Sequence, residues 1–511
     1  MARFLIDVSR HFEPVSEIER TLDGMAAVKL NVLHWHLSDD QGIRVESHRY
    51  PKLQGMGSDS LYYTQAQIRT IVAYARDRGI RVVPEFDMPG HSTAWFVGYP
   101  QYASGPGPYG IGRHWAGYPG VFDPTRESVY RFIDGFISEM SVLFPDAYWH
   151  IGGDEVNATQ WKQNPRIQKF MAARHLADYA ALQAYFNQRL SRILTRHHKR
   201  MIGWDEVLHP DLPRTTVVQS WRGTQYLGQA VAQGFSGILS ASYYLDAMKS
   251  AEQHYLADPL AGDSTLTAGE SARVLGGEAC MWAELVSDES IDSRIWPRLA
   301  AIAERFWSPQ SVTDVDDMYR RLAIEDVRLE QLGLGQESHT DRFLRRIMNG
   351  PAIAPLAELL RFAEPVTLGQ RTHSASVTQM TPLVQLVDAA RPDPPARWQI
   401  QQLVAAVVSA PAASTAARDT LAQWFTMWRD LPLLVHRTAP RSPLAQAAIP
   451  AADALSSVGA IGLAALEERK SGVPLPRTWT DSALVTLQAA DKPQGLLHLV
   501  VVPAVQRLLV R

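Results

Sequence analysis

From its first residues to about residue 310, the chain alternates short β-rich runs with amphipathic helical patterns, and this alternation restricts the fold more than any other feature. The strand candidates are FLIDV (4–8), VLHWHL (32–37), RVVPEF (81–86), AYWHIGG (147–153), MIGW (201–204), VVQSW (217–221), GILSA (237–241) and VLGGEACMW (274–282). Amphipathic helices lie between them. Over 64–79, Ile68, Ile71, Val72 and Ala75 fall on one helical face, Thr64 with Gln67 reads as a capping box, and Gly79 as the stop. Over 126–144, Val129, Phe132, Ile133, Phe136, Ile137 and Met140 form a second stripe. Asp123-Pro124 before it reads as an N-cap followed by a permitted first-turn proline. Long helical patterns also cover 165–198 and 291–306. Eight strands with intervening helices match a parallel (β/α)8 barrel of the TIM type. An open doubly wound sheet would carry a Gly-rich phosphate loop after an early strand, and the sequence has none. The expected fold class is α/β, a (β/α)8 barrel followed by a mainly helical C-terminal region.

The 511 residues exceed one ordinary domain. Helical patterns over 311–345 close the barrel domain, so the expected division is 1–345 and 346–511. The second part is rich in Ala, Leu and Pro, with proline-bearing loops such as ARPDPPAR and RTAPRSP, and carries no cluster of acids and histidines. It reads as a helical accessory domain. Ten of the 14 tryptophans precede residue 310. A net charge of −3 supplies no strong field, so neither nucleic acid nor an anionic membrane is an expected partner. The single cysteine, Cys280, excludes an intrachain disulfide and a cysteine-built zinc site, and reads as a buried small apolar residue. MARFLIDVSR has no secretory signal character, and no run of about 20 uninterrupted apolar residues suggests a membrane span. The literal expectation is cytoplasmic, or periplasmic or secreted if a segment precedes Met1. The greasy terminal stretch LLHLVVVPAVQRLLV is broken by Pro503 and reads as a packed terminal element.

Parallel barrels gather functional groups at the C-terminal ends of their strands. Those ends carry Asp7 and Arg10, Asp39 and Asp40, Glu85, Asp87 and His91, Asp154 and Glu155, Trp204, Asp205 and Glu206, Trp221 and Arg222, Tyr243, Tyr244 and Asp246, and Trp282 and Glu284. Carboxylates beside aromatic platforms suit sugars, whose rings stack on indole and whose hydroxyls need charged partners. The sharpest motif is HIGGDEV, 150–156. Two glycines allow close approach, and two adjacent carboxylates follow that can be driven to different protonation states. His34 and His36 share a strand face, but no HExxH motif or diagnostic carboxylate spacing accompanies them. Barrel packing and hydrogen bonding explain them better than a metal, and no metal is expected. Trp204, Trp221 and Trp282 at three separate strand ends, with Tyr244 beside them, read as an aromatic pocket.

The motifs LIDVSRHF, HWHLSDDQG, PEFDMPGH, HIGGDE, the Trp204-Asp205-Glu206 and Tyr244-Leu245-Asp246 segments, and GGEACMWAE resemble glycoside hydrolase family 20, the β-N-acetylhexosaminidases. They run in family order over roughly residues 3–310. The resemblance implies a retaining mechanism in which the 2-acetamido oxygen of the substrate attacks the anomeric carbon and forms an oxazolinium ion. By the same resemblance Glu155 is the general acid and base, Asp154 orients the acetamido N–H, and Tyr244 hydrogen-bonds the acetamido oxygen. Trp204, Trp221 and Trp282 form the box around the acetamido methyl and sugar ring. Arg10, Asp246 and Glu284 hold ring hydroxyls, and Asp39 and His91 are a supporting pair that tunes the acid.

The resemblance therefore implies an exo-acting β-N-acetylhexosaminidase acting on oligosaccharides with a terminal N-acetylhexosamine, without a cofactor. The alternative is a non-catalytic carbohydrate-binding relative. Two departures stand out. The smaller α/β domain that usually precedes the family barrel is absent from this sequence. Residues 247–281 also lack the tryptophan that stacks on the leaving sugar in some relatives, although His254 and Tyr255 lie there. No oligomeric state is assigned.

Overall fold

Each of the eight apolar runs forms a strand: β1 (Ala2–Asp7), β2 (Val32–His36), β3 (Arg81–Glu85), β4 (Tyr148–His150), β5 (Arg200–Trp204), β6 (Val217–Ser220), β7 (Ser236–Leu239) and β8 (Val274–Met281). The structure is a computed structural model and describes residues 2–115, 117–260, 266–374, 377–410 and 413–509. The strands are all parallel and follow chain order around a closed barrel, with β8 returning to pair with β1. Closure sets Arg3 opposite Glu278 and Leu5 opposite Cys280.

Alternation along each strand divides the side chains between two environments. Leu33 and Trp35 of β2 face outward into the layer of helices, while His34 and His36 face the barrel axis with Val32. The axis is filled in tiers, as the barrel geometry requires. The lowest tier is apolar: Val32, Val83, Ile202, Val217 and Ile238. A charged tier follows, built from Arg3, His34, Glu85, His150, Gln219 and Glu278. Above it sit Leu5, Trp204 and Cys280, with Trp221, Tyr244 and Trp282 packed against them.

The outer helices bury the stripes expected of them. Helix α1 (Gln65–Arg76) carries the capping box: Thr64 accepts from the Gln67 N–H, and Gln67 accepts from the Thr64 N–H at 2.8 Å. Such a cap stabilises by about 1 kcal/mol. Helix α2 (Glu127–Met140) buries Val129, Phe132, Ile133, Phe136, Ile137 and Met140, and truncating a ring such as Phe136 costs about 3–5 kcal/mol. Its start differs from expectation. The helix begins at Glu127, because the Asp123 carboxylate closes a local turn on the Thr125 N–H and pairs with Arg126 and Arg166 instead of capping α2. The 165–198 pattern resolves into two helices, Pro165–Ala173 and Tyr179–Arg196, capped by Asn164 and Asp178. The 291–306 pattern breaks at Trp296-Pro297 into Ile291–Ile295 and Arg298–Trp307, where proline removes a backbone donor.

The C-terminal region is built on two long antiparallel helices, α3 (Thr415–Thr438) and α4 (Ala448–Ser471). Gly459 and Gly462 let them approach closely: a Cβ on Gly459 would lie 2.5 Å from the Phe425 carbonyl oxygen. By length and composition, α4 could cross a membrane, but Ala451, Leu455, Val458 and Ala465 are fully buried in the C-terminal core. A short antiparallel sheet, Ala363–Pro365 with Leu497–Leu499, interrupts the helices, and the last helix, Val502–Leu509, is buried along one face. Buried residues from Ala2 to Leu334 form one core, and those from Phe343 to Leu509 another.

The two cores are joined by polar contacts and by a small apolar cluster in which Leu285 packs with Val377 and Leu383. Arg294 is buried and donates to the carbonyls of Ala390 at 2.5 Å and Asp388 at 3.1 Å. Gln379 donates to the Gln41 carbonyl at 3.0 Å and accepts from Arg113 at 2.6 Å, so the C-terminal region reaches the loops at the barrel mouth. Replacing Arg294 with alanine leaves buried carbonyls without a donor. We expect a loss of about 2–4 kcal/mol, read as a fall in the chemical-denaturation midpoint. A loss near zero would show that the contact does not join the cores.

Candidate active site

The loops after the strands hold every site residue expected from the sequence. Asp7 ends β1 and fixes two of these loops. One oxygen accepts from the Ser9 and Arg10 N–H groups at 2.8 and 3.2 Å, and the other from the Ala283 N–H at 3.0 Å. Arg10 is thereby set beside Asp39, at 2.7 Å, with its guanidinium 4.9 Å from the Trp282 ring. Burial opposes the charge on Arg10, but Asp39 and Asp7 outweigh it and raise its pKa.

Asp39 follows β2 and is buried. Its Oδ2 accepts from Arg10 and lies 3.1 Å from His36 Nε2; its Oδ1 lies 3.1 Å from His91 Nδ1. Burial raises a carboxyl pKa, but here Arg10, His91 and His36 hold Asp39 far below the usual range. His91, in the loop after β3, is anchored by the neighbouring bond from the Thr93 N–H to Asp40, 2.9 Å. With Nδ1 on Asp39, the His91 Nε2 lies 3.4 Å from Glu155 Oε2 and 3.8 Å from Asp154 Oδ2. Burial opposes its protonation, and Asp39 and Asp154 overcome it, so His91 is a cation.

Asp154 and Glu155 leave β4 through two glycines with positive φ, +66° at Gly152 and +93° at Gly153. A Cβ on Gly152 would lie 1.8 Å from Asp87 Oδ1, the oxygen that accepts from the Gly153 N–H at 3.0 Å. Only glycine fits this turn. Glu155 itself takes the left-handed conformation, φ +46°, which turns adjacent residues to different surroundings. The Asp154 side chain is 16% exposed and that of Glu155 58%. Burial raises the Asp154 pKa, whereas the facing His91 lowers that of Glu155. The two carboxyls are driven apart, as their adjacency in sequence allowed.

Three tryptophans stand at the ends of β5, β6 and β8. Trp204, at the end of β5, is buried and donates from Nε1 to Glu85 at 3.0 Å. Trp221 donates from Nε1 to Glu206 at 2.9 Å, while its backbone N–H is held by Asp205 at 3.0 Å. Trp282 sits edge-on to His36, 5.0 Å between ring centroids, and 5.9 Å from Trp204. Tyr244, bridged by backbone pairing to Cys280, meets Trp282 edge-on at 6.3 Å. Burial pushes its phenol pKa up, so it remains a donor. Burial, reinforced by Glu284, pushes Asp246 up to about 8, and burial also raises Glu284 despite Arg10. Asp154 Oδ1 and Asp246 Oδ1 are buried and have no hydrogen-bond partner among the described residues, so two acceptors stand available to a ligand.

Three sets of side chains bring ligand-type atoms within 4.8 Å of one another: His34, Glu85 and His150; Asp39, Asp40 and His91; Asp87, His91 and Asp154. Each set contains a carboxylate already facing an imidazole.

The comparisons with known proteins agree on one family. The profile described as "Glycosyl hydrolase family 20, catalytic domain" matches residues 3–310. The chain belongs to this family. The β-hexosaminidase subunit beta of Felis catus is 40% identical over 65% of this chain and 64% of its own. A β-hexosaminidase of Porphyromonas gingivalis is 38% identical over 65% of this chain and 46% of its own. The chain thus spans just under two thirds of the length of the cat relative, and less of the bacterial one. Among solved structures, a chitobiase of Flavobacterium johnsoniae superposes with a TM-score of 0.93 at 36% identity, covering all of this chain and 78% of that one. A Vibrio harveyi exo-β-N-acetylglucosaminidase, solved in complex with N-acetylglucosamine, gives a TM-score of 0.60 at 30% identity over 65% of this chain and 58% of its own. The Flavobacterium protein shares the C-terminal region as well as the family 20 barrel.

The sequence reading missed Glu278 and His150, and placed Glu85 only as a strand-end residue. The available signal was position: each occupies an inward register of an apolar strand, where a charged group stands only if it is paired. Gly152→Ala should cost about 2–4 kcal/mol, because its Cβ drives Asp87 off the Gly153 N–H. Adding Asp87→Ala should recover part of that loss in a double-mutant cycle read by thermal unfolding. Strict additivity would contradict the clash.

Proposed function

We propose that this protein is an exo-acting β-N-acetylhexosaminidase, releasing terminal non-reducing N-acetylhexosamine from β-linked oligosaccharides or glycoconjugates with retention of configuration. The observation that carries the reading is the pairing of Asp154 and Glu155 on His91, itself held by Asp39, at the same barrel mouth as the cluster of Trp204, Trp221 and Trp282. We also propose that a catalytic domain covers 1–345 and a helical accessory domain 346–511. The two separate hydrophobic cores support this division, with the helix His339–Met348 straddling the boundary.

In this mechanism the acetamido carbonyl oxygen attacks C1 as the bond from C1 to the leaving oxygen breaks. Glu155 gives its proton to that oxygen. Asp154 accepts the acetamido N–H and balances the positive charge of the oxazolinium, and Tyr244 donates to the acetamido oxygen. The tryptophans confine the acetamido methyl and ring to the attack geometry. Arg10, Asp246 and Glu284 take ring hydroxyls. Water, deprotonated by Glu155, then opens the oxazolinium on the same face.

The shifts of the two carboxyls in the free site run against the ones this reaction needs. Asp154 is raised by burial and Glu155 lowered by His91, yet catalysis requires Asp154 ionised and Glu155 protonated. A bound sugar reverses both: its acetamido N–H stabilises the Asp154 carboxylate, and its aglycone removes Glu155 from water. Infrared titration of the carboxyl bands, assigned with the Asn and Gln variants, should place the Asp154 midpoint above the ordinary aspartate value and the Glu155 midpoint below the ordinary glutamate value in the free protein. Both shifts should reverse direction with a thiazoline mimic of the oxazolinium bound. Midpoints unmoved by the mimic contradict the reversal.

The deciding experiment is hydrolysis of an aryl N-acetyl-β-glucosaminide beside the plain aryl β-glucoside. Folded protein that releases neither aglycone defeats the proposal, and equal rates on both defeat acetamido participation. Glu155→Gln should lose about 10²–10⁴-fold on poor leaving groups and far less on good ones. Asp154→Asn should keep the fold and lower turnover of acetamido substrates; unchanged turnover removes Asp154 from the mechanism.

A further inference from the structure

The charged tier of the barrel and the catalytic loops form one continuous path. Glu278 Oε1 lies 2.8 Å from His34 Nδ1, and His34 Nε2 lies 3.1 Å from Glu85 Oε2. The same Glu85 oxygen bonds His36 Nδ1 at 2.6 Å. His36 Nε2 then reaches Asp39 at 3.1 Å, Asp39 reaches His91 at 3.1 Å, and His91 faces Glu155 at 3.4 Å. Carboxylates and imidazoles alternate at every link from the barrel axis to the mouth. Glu85 has a second branch: its other oxygen accepts from Trp204 Nε1 at 3.0 Å and lies 3.0 Å from His150 Nδ1.

We propose that Glu85 is a positioning residue for catalysis, acting through His36, Asp39 and His91 on the acid Glu155 and directly on the Trp204 wall of the sugar pocket. Glu85 touches no substrate atom in this scheme. Its two oxygens set the orientation of two unrelated parts of the site at once. This inference rests on the assignment of Glu155 as the acid.

His36 has both ring nitrogens facing carboxylates, Glu85 on one side and Asp39 on the other, with Arg10 Nη1 3.4 Å from Nε2, an arrangement that favours the imidazolium. Burial opposes that charge, but Glu85 and Asp39 push its pKa up to about 10. The groups facing Glu85 are His34 and His36 from β2, His150 from β4 and Trp204 from β5, with Glu278 of β8 behind His34. Burial opposes the ionised form of Glu85, and these imidazoles restore it to well below the usual carboxylate range. Removing its charge therefore lowers the pKa of His36 and weakens the charge-assisted contact by which His36 orients Asp39 toward His91.

The test compares Glu85→Gln with His36→Gln. The first retains shape but removes an acceptor from one branch. The second cuts only the link toward the acid, still offers an amide N–H to Asp39, and leaves Trp204 bonded to Glu85. Both are assayed on aryl N-acetyl-β-glucosaminides carrying a 2,4-dinitrophenyl or an unsubstituted phenyl leaving group. Wild type and Glu155→Gln are run beside them. We expect both variants to lose about ten-fold more kcat on the phenyl than on the dinitrophenyl substrate. Only Glu85→Gln should also raise KM. A folded Glu85→Gln or His36→Gln that loses the same factor on both substrates, or nothing on either, overturns the inference. Should Glu85→Gln fail to fold, His36→Gln decides alone. An inactive wild type instead defeats the proposed function, and a Glu155→Gln indifferent to the leaving group defeats its acid assignment.

Discussion

An ionised carboxylate taken from water into a barrel axis costs several kcal/mol unless donors surround it, and the upper half of this barrel is arranged to meet that condition for Glu85. The imidazole of His36 and the indole of Trp204 supply them. Their supply dictates what else must stand there. His36, charged by Glu85, needs a second carboxylate, which is Asp39; Asp39 in turn draws in Arg10 and His91. The positions of Asp154 and Glu155 follow from His91 and the two glycines. The catalytic loops are thus registered against the rigid strands by charge, and a loop shifted by one residue would leave a buried ion unpaired.

The same economy of contacts ties the C-terminal region to the barrel. Arg294 satisfies backbone carbonyls at the end of one short helix, and Gln379 braces the loops that carry Gln41 and Arg113. Polar bridges of this kind demand defined geometry and so fix orientation, whereas an apolar seam tolerates sliding. The superposition with the Flavobacterium chitobiase over the whole chain accords with two parts held in one relation.

Much of this was legible in the residues. Eight apolar runs at barrel spacing located every strand to within about two residues at most ends, because a strand buried on both faces reads as an apolar run whatever its partners. Periodicity located the helices, and Thr64 with Gln67 marked a true cap. Asp123 misled because its side chain finds stronger partners in Arg126 and Arg166, which are distant or adjacent in ways that a capping pattern does not encode. The strand ends carried the site, so Asp154, Glu155, His91, Arg10 and the three tryptophans were each named. The charged tier was not. His34 and His36 were read as hydrogen-bonded packing residues, but their partners Glu85 and Glu278 come from strands about 50 and 240 residues away, and only barrel closure brings them together. The short sheet of Ala363–Pro365 with Leu497–Leu499 escaped for the same reason.

The pairing of β1 with β8 carries a consequence for how the molecule comes into being. Arg3 is made well before its partner Glu278, which follows 275 positions later. Until then β1 and every growing edge present unpaired backbone groups, the condition that favours misassociation. The arginine acts meanwhile as a keyed end. A strand joining β1 one residue out of step would place Gly277 or Ala279 against it and leave the guanidinium buried alone. Ring closure in the native step is therefore the arrangement in which that charge finds its partner, and the candidate site, whose walls come from both ends of the barrel, exists only after it.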